Sequence, residues 1–233
     1  MGPKVAVITA GGGGMGAAIT RKLHKQGYRV ALMSRSEASE KLAKECGGLG
    51  LQGSVTEISD LERLVSMALD TYGRIDAVVN HTAHPPKGEL LEIPDDLWLS
   101  GFDILVMNVV RMARLVTPIM QKQGGGAWVN ISTFAAFEPE LALPVSCTLR
   151  AALSTFSKLY ADRYAADNIR MNNLLPGFID SLSHSVETVN RVPMGRIGTT
   201  REIADTTAFL LSDGAGYITG QSLVVDGGVT RHI

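Results

Sequence analysis

A run of glycines near the start of the chain has the composition of a phosphate-binding turn. Residues 9–16 read Thr-Ala-Gly-Gly-Gly-Gly-Met-Gly and lie between a short apolar segment and a helical pattern. Glycine allows a tight turn and close approach of the backbone to a pyrophosphate, and the following helix N terminus offers free N–H groups and partial positive charge. In this position the turn indicates a dinucleotide site.

A basic residue follows the second apolar segment of the chain. Arg35 stands where an acidic side chain would bind the ribose 2′-hydroxyl of NAD, whereas an arginine there suits a 2′-phosphate. Ser34 and Ser36 flank it and are expected to add hydrogen-bond donors. The pattern therefore predicts that NADP(H) is preferred over NAD(H).

The elements that position these residues are short apolar segments alternating with amphipathic helical patterns. Strands are predicted at 4–9, 29–33, 50–52, 77–80, 127–131, 170–175 and 222–226. Helices are predicted at 15–26, 36–45, 59–72, 94–123 with a break near Gly101, 143–166 and 200–212, with Ser59 capping the third and Gly73 ending it. This order predicts an α/β fold, in which residues 1–233 form a single Rossmann-type domain. Its doubly wound parallel sheet has about seven strands and helices on both faces.

Composition excludes several classes of protein. The chain has 233 residues, of which 45% are hydrophobic and 19% charged, which argues against disorder. Lys plus Arg is 22 and Asp plus Glu is 23, a balance that argues against a nucleic-acid partner. No apolar run approaches the ~18 residues of a membrane span. The start of the chain resembles no secretory leader, and Cys46 and Cys147 lack metal-type spacing, so we expect reduced thiols and a cytoplasmic protein.

Ordered motifs along the chain carry a family resemblance. They are residues 9–16, Asn-His-Thr-Ala at 80–83, Asn108, Val-Asn-Ile-Ser-Thr at 129–133, Asn-Asn-Leu-Leu-Pro-Gly at 172–177, Tyr-Ile-Thr-Gly at 217–220 and Val-Asp-Gly-Gly at 225–228. Over almost its full length the chain resembles the short-chain dehydrogenase/reductase family, in particular its β-ketoacyl-ACP-reductase-like branch. The resemblance implies a nicotinamide cofactor, hydride transfer at a carbonyl or alcohol carbon of a small molecule, and homotetramers or homodimers.

The resemblance also implies which residues contact the cofactor. They are Thr9, Gly11, Gly14, Met15, Gly16, Ser34, Arg35, Ser54, Val55, Asn80, Ile131, Arg150, Pro176, Gly177, Ile179 and Ser181. Ser54 stands where the family often has an aspartate facing adenine, and Ser181 where it often has a threonine that meets the carboxamide. The segment that would cover the substrate, residues 182–193, is short, which suggests an open site or a small substrate.

The catalytic positions depart from the family pattern. The segment Arg150-Ala-Ala-Leu aligns with the family's Lys-Ala-Ala-Leu, so Ser146 stands at the tyrosine position and Thr133 at the serine position. The expected catalytic set is thus Asn108, Thr133, Ser146 and Arg150. A serine hydroxyl is a far weaker acid than a phenol with a pKa near ~10, and arginine does not release its proton. The proton relay of the family is therefore expected to be altered.

Three groups are candidates to replace the relay. Water polarised by Ser146 and Arg150 is one; His81 or His84, beside the expected nicotinamide site, is the second; Glu138 is the third. His84 and Glu138 are also the candidate substrate-binding residues. No metal site is expected, because the two histidines have no third ligand nearby.

Three functions remain open at this point. The first is an NADP(H)-preferring oxidoreductase with an atypical active site. The second is a cofactor-binding protein without redox turnover, which acts as a partner subunit or sensor. The third is a lyase or isomerase on the same fold, in which Arg150 clamps an anionic group. Tyr160 and Tyr164 are expected to serve helix packing or a subunit interface, not catalysis.

Overall fold

Seven parallel strands form one sheet in the computed structural model, which describes residues 2–231. The strands are β1 Val5–Thr9, β2 Arg29–Ser34, β3 Leu49–Gln52, β4 Ala77–Asn80, β5 Gly126–Ile131, β6 Ile169–Pro176 and β7 Ser222–Val225. Their order in the sheet is β3-β2-β1-β4-β5-β6-β7. The chain reverses its direction of travel across the sheet between β1 and β4, and a ligand of such a sheet binds beyond the carboxyl ends of the strands at that point.

Helices cover both faces of this sheet. They are α1 Gly14–Lys25, α2 Ala38–Glu45, α3 Ile58–Tyr72, α4 Asp95–Phe102, α5 Asn108–Gln123, α6 Pro144–Tyr164, α7 Val186–Asn190 and α8 Thr200–Leu211. One core packs α1, α2 and α8 against strand residues such as Ile8, and a second packs α3, α5 and α6 against the alternate residues such as Val7. The predicted fold is therefore confirmed. Within residues 2–231, no helix has both the length and the apolar character that a membrane crossing requires.

The long helix predicted at 94–123 is broken two residues after the position that the sequence suggested. A π-helical turn at Asp103–Met107 separates α4 from α5. Gly101 itself lies inside α4, where a Cβ atom would stand 2.4 Å from Cγ1 of Val145 on α6. The glycine thus serves close approach of two helices, and the break falls where the backbone changes its hydrogen-bond period.

One smaller prediction about α3 is corrected and one is confirmed. Ser59 does not cap α3, because the helix begins one residue earlier with Glu57 at the N-cap position and without a capping side-chain bond. Gly73 does end this helix, at a φ of 74°. The covering segment 182–193 contains the short helix α7, capped by the Ser185 hydroxyl, which accepts a hydrogen bond from the Thr188 N–H.

Tyr160 serves helix packing, as predicted. Its hydroxyl lies 2.7 Å from Oγ1 of Thr117, and its ring meets Trp128 edge-on at 5.9 Å between centroids. Burial raises the pKa of Tyr160 to about 12, so this phenol is a poor proton donor near neutral pH.

Candidate functional site

The glycine-rich turn is held in shape by contacts that exclude side chains. A Cβ on Gly16 would lie 2.1 Å from the Ala10 carbonyl oxygen, and one on Gly12 would lie 2.5 Å from the backbone nitrogen of Ser39. Gly14 begins α1 with a φ of 48°, which favours glycine. Gly13, in contrast, has no neighbour within 4 Å of its Cβ position and is exposed. The turn therefore presents bare backbone and the N terminus of α1 to an open space, as a phosphate site requires.

That space continues to the predicted 2′-phosphate position. A cavity of about 730 Å³ runs over the carboxyl ends of β1, β2, β3 and β4. Its lining includes Ala10, Gly13, Met33, Ser34, Arg35, Ser36, Gly53, Ser54, Val55, Thr56, His81, Thr82, Ala83, Ser100 and Ile104. The volume of this cavity suits a dinucleotide.

Arg35 is an exposed cation at the outer end of the cavity. None of the ion pairs formed within the described part of the chain includes it. The neighbouring Ser34 differs from expectation, because its hydroxyl donates to the Ser36 carbonyl at 2.8 Å and accepts from the Ser39 N–H at 3.1 Å. Ser34 thus orders the start of α2 and has no free proton for an anion, whereas Arg35 keeps its donors.

Thr9 and Asn80 hold the strand ends together. The Thr9 hydroxyl donates to the His81 carbonyl at 2.8 Å and accepts from the His81 N–H at 2.9 Å, and so links β1 to the end of β4. The Asn80 amide donates to Oδ1 of Asn130 at 2.8 Å. Both side chains are buried and serve the framework; their predicted contact with a cofactor stays a prediction.

Asn80 belongs to a buried polar ladder that crosses four strands. Asn80, Asn130, Asn173 and Ser222 occupy paired positions on β4, β5, β6 and β7. Asn130 donates to Oδ1 of Asn173 at 3.0 Å and to Oγ of Ser157 at 3.1 Å, and Asn173 donates to Oγ of Ser222 at 3.1 Å. The ladder fixes the mutual register of the strand ends that carry the candidate catalytic residues.

Ser146 and Arg150 lie together on the buried face of α6. Nε of Arg150 donates to Oγ of Ser146 at 3.2 Å, and Nη1 donates to the carbonyl oxygen of Ile131 at 2.8 Å. Thr133, two residues beyond Ile131, caps a short 3₁₀ turn by accepting from the Ala135 N–H. The structure thus joins Arg150 directly to Ser146 and to the end of β5, from which Thr133 follows.

Asn108 is buried where the π-helical turn meets α5. Its Nδ2 donates to the Ile104 carbonyl, and its Oδ1 is buried without a hydrogen-bond partner among residues 2–231. The π-helical turn packs against α6. A buried acceptor of this kind is costly unless a ligand or water donates to it.

The two histidines of the loop after β4 are neutral near pH 7. Burial, and secondly the charge of Arg150, lower the pKa of His81 to about 4. The same two causes, in the same order, lower the pKa of the more exposed His84. Nδ1 of His81 is buried and finds no partner in the described chain. His81 is therefore unsuited to donate a proton at neutral pH.

The segment after β6 closes one side of the glycine-rich turn. Cβ of Ser181 lies 3.4 Å from the Cβ position of Gly14. Gly177 is required beside β7, since a Cβ there would stand 2.7 Å from Cα of Asp226. Ile179 is buried and pairs with Gly198. These contacts place Ser181 beside the glycine-rich turn, and its predicted contact with the cofactor carboxamide stays a prediction.

Glu138 is engaged by the C-terminal segment. Its Oε1 accepts a hydrogen bond from the Arg231 N–H, and the neighbouring Glu140 pairs with Arg191. The predicted role of Glu138 in substrate binding stays a prediction. Among residues 2–231 no cluster of His, Cys, Asp and Glu side chains has the arrangement of a metal site.

Several cavity residues were not anticipated from the sequence. Gly13 stood inside the glycine run and was recognisable by its position. Thr56, Ser100 and Ile104 carried no local signal, because they reach the cavity only through the packing of α4 and of the loop after β3.

The residues present fit a nicotinamide dinucleotide. The bare turn at Gly13, the free cation Arg35 and His81, whose Nδ1 has no partner among residues 2–231, line one cavity at the strand ends. A doubly wound sheet with this turn and cavity defines the class of dinucleotide-binding α/β proteins.

Comparison with known proteins identifies the family. The family model described as enoyl-(acyl carrier protein) reductase matches residues 10–230. The chain belongs to the short-chain dehydrogenase/reductase family, whose members bind nicotinamide cofactors.

The relatives are oxidoreductases. Dehydrogenase/reductase SDR family member 4 of Oryctolagus cuniculus is 34% identical over 246 residues, which cover 99% of this chain and 95% of the relative. The 7alpha-hydroxysteroid dehydrogenase of Bacteroides fragilis is 31% identical, over 98% of this chain and 95% of the relative. The crystal structure of L-sorbose reductase from Gluconobacter frateurii, complexed with NADPH and L-sorbose, superposes with a TM-score of 0.93 at 28% identity, over 100% of this chain and 98% of that one.

Proposed function

We propose that this protein is an NADP(H)-preferring oxidoreductase that acts on a carbonyl or alcohol carbon of a small molecule. The observation that carries the proposal is the cavity leading from the bare glycine turn to the unpaired Arg35. A 2′-phosphate would neutralise this cation through charge-assisted hydrogen bonds, whereas a 2′-hydroxyl would not. The L-sorbose reductase relative, described with NADPH, is consistent with this preference.

The residues of the site suit electrostatic catalysis. A bound nicotinamide supplies the hydride donor or acceptor. The hydroxyls of Thr133 and Ser146 would hold the substrate oxygen, and Arg150, fixed by Ile131 and Ser146, would stabilise negative charge on that oxygen. Oδ1 of Asn108 would hold a water molecule.

The proton that the reaction requires is expected to come from a solvent-exposed side chain near the site. The Ser146 hydroxyl and the Arg150 guanidinium are both too weakly acidic to replace a phenol as a proton donor. His81 is partly buried and neutral, whereas His84 is exposed on the same loop. His84 is therefore the group that we propose exchanges protons with water.

Cofactor titration tests the proposal. Purified protein is titrated with NADPH and with NADH, and the nicotinamide fluorescence is followed. We expect NADPH to bind at least ~10-fold more tightly than NADH, because one charge-assisted contact is worth about 1.5–3 kcal/mol. Arg35→Gln should remove the preference, and Arg29→Gln, at the opposite end of the same strand, should keep it. Equal affinity of the wild type for both cofactors would refute the NADP(H) preference.

A second function is favoured by the Ser146–Arg150 bond. Because these side chains bond each other and neither is a ready proton donor, cofactor binding without turnover is the alternative. Cofactor oxidation is measured with a broad panel of aldehydes and ketones, and reduction with alcohols, with Ser146→Tyr/Arg150→Lys as comparator. Turnover by the wild type supports the oxidoreductase; turnover only by the comparator supports the alternative.

We also propose a homodimer or homotetramer built through α5 and α6. A groove of about 410 Å³ between them is lined by polar residues and by apolar residues that include Phe156 and Leu159, the latter 64% exposed. Light scattering after size exclusion gives the mass of the assembly. Leu159→Asp should reduce that mass, and Leu91→Asp, at another exposed leucine, should not.

A cytoplasmic location is proposed from the state of the cysteines. Cys46 and Cys147 are both buried free thiols, a state that suits a reducing compartment. Fractionation of the native cells tests this location.

A further inference from the structure

Arg150 is a cation buried without a counter-ion. Arg150 is only 6% exposed, and its side chain donates two hydrogen bonds to neutral oxygens, those of Ser146 and Ile131. It takes part in none of the ion pairs found within residues 2–231. A guanidinium has five N–H donors, so three remain for a ligand. Burying an unpaired charge is costly, which makes this position unusual for a purely structural residue.

The charge acts on the inner end of the cavity. Arg150 disfavours protonation of both His81 and His84, and His81 lines the cavity wall. Lys87 adds to the effect at His84. The positive potential therefore extends from α6 to the loop after β4.

No carboxylate among residues 2–231 forms an ion pair with Arg150. Oε1 of Glu138 accepts from the Arg231 N–H, and Glu140 pairs with Arg191. Burial lowers the pKa of Arg150 to about 10, and no carboxylate opposes that effect. The remaining N–H donors of Arg150 are therefore suited to bind an anion that is not part of the chain.

We propose that the substrate carries a carboxylate close to its reacting carbonyl or alcohol carbon and that Arg150 binds this carboxylate. The chemical class is a short 2-oxo or 3-oxo acid, or the corresponding hydroxy acid. A guanidinium binds the two oxygens of a carboxylate in parallel, whereas a neutral hydroxyl leaves the charge uncompensated. Ser146, whose Oγ lies 3.2 Å from Nε, is a small neutral residue and brings no charge to compete with such a group. This inference deepens the proposed function and rests on it for the reaction, though not for the binding.

The experiment compares an acid with its neutral amide. Wild-type protein saturated with NADP⁺ is titrated calorimetrically with acetoacetate and with acetoacetamide; ligand and cofactor are both oxidised, so no reaction occurs. The same titrations are run without cofactor. We expect acetoacetate to bind about 10- to 100-fold more tightly than the amide, the range of a charge-assisted contact.

Variants assign the preference to one residue. Arg150→Gln should abolish the discrimination, and Arg150→Lys, which keeps the charge but not the two-pronged geometry, should retain part of it. Arg201→Gln, whose arginine side chain is 89% exposed, is the matched control and should leave the discrimination unchanged. If Arg150→Gln does not fold, the wild-type comparison and Arg150→Lys still decide.

Each other outcome has one meaning. Equal binding of acid and amide by the wild type would overturn the inference. So would binding of acetoacetate that NADP⁺ abolishes by competition, since Arg150 would then contact the cofactor. Turnover of neutral ketones without preference for acids would refute the substrate class and leave the proposed function intact. Arg150-dependent acid binding without turnover of any substrate would support the inference and refute the oxidoreductase.

Discussion

The asparagine ladder gives a stability prediction that the geometry makes quantitative. Replacing Asn130 by leucine, which has a similar branched shape, removes three buried hydrogen bonds: one from Asn80, one to Ser157 and one to Asn173. At about 1 kcal/mol net for each, the loss is about 3 kcal/mol, and more if the orphaned Asn80 amide finds no other partner. For a chain of this size the melting temperature should fall by about 6–12 °C.

A double-mutant cycle separates the hydrogen bond from general damage to the core. Urea unfolding is measured for Asn130→Leu, Asn80→Leu and the double variant. Asn130→Leu leaves the Asn80 amide buried without a partner, and the double variant removes that amide too. The two losses should therefore be less than additive, by about 1–3 kcal/mol. Losses that add within ~0.5 kcal/mol, or a single loss below ~1 kcal/mol, would refute the ladder as a source of stability.

Three further predictions concern the turn and two titrating groups. Gly16→Ala should lower both the melting temperature and NADPH affinity, because of its 2.1 Å backbone clash, whereas Gly13→Ala should weaken only NADPH binding. His81 has a folded pKa of about 4, below the unfolded value near ~6.5, so the unfolded state binds more protons between these values. Stability should fall as pH drops from ~6.5 to ~4, less steeply in His81→Asn, by urea unfolding at each pH. The hydrogen bond from Arg196 lowers the pKa of Glu202 to about 2, so its contribution is full above pH ~4.5 and lost as pH falls to ~2. Arg196→Gln should shrink that acid-dependent loss, whereas an unchanged pH profile would contradict the assignment.

The fold was predictable from local patterns in the chain. Buried parallel strands need continuous apolar segments, and crossover helices need a periodic apolar face. Both patterns can therefore be recognised within short segments of the sequence. The same holds for the glycine turn, where the positive φ of Gly14 favours glycine and the close backbone contact at Gly16 excludes a side chain. The break near Gly101 was predicted, but its π-helical form at Asp103–Met107 was not, because a single extra residue in a helical period leaves little trace in an amphipathic pattern.

The chemical state of the site was decided by tertiary structure. The sequence placed Ser146 and Arg150 one helical turn apart, but not the burial of that arginine without a carboxylate, which depends on where Glu138 and Glu140 find their partners. The sequence also predicted Ser34 as a free donor, although its hydroxyl is hydrogen-bonded to the Ser36 carbonyl and the Ser39 N–H. Hydrogen-bond partners and solvation are properties of groups brought together from distant positions, and no window of sequence contains them. The sequence therefore predicts which residue types meet at the site. Packing decides which of them are charged and which of their hydrogen-bond donors stay free.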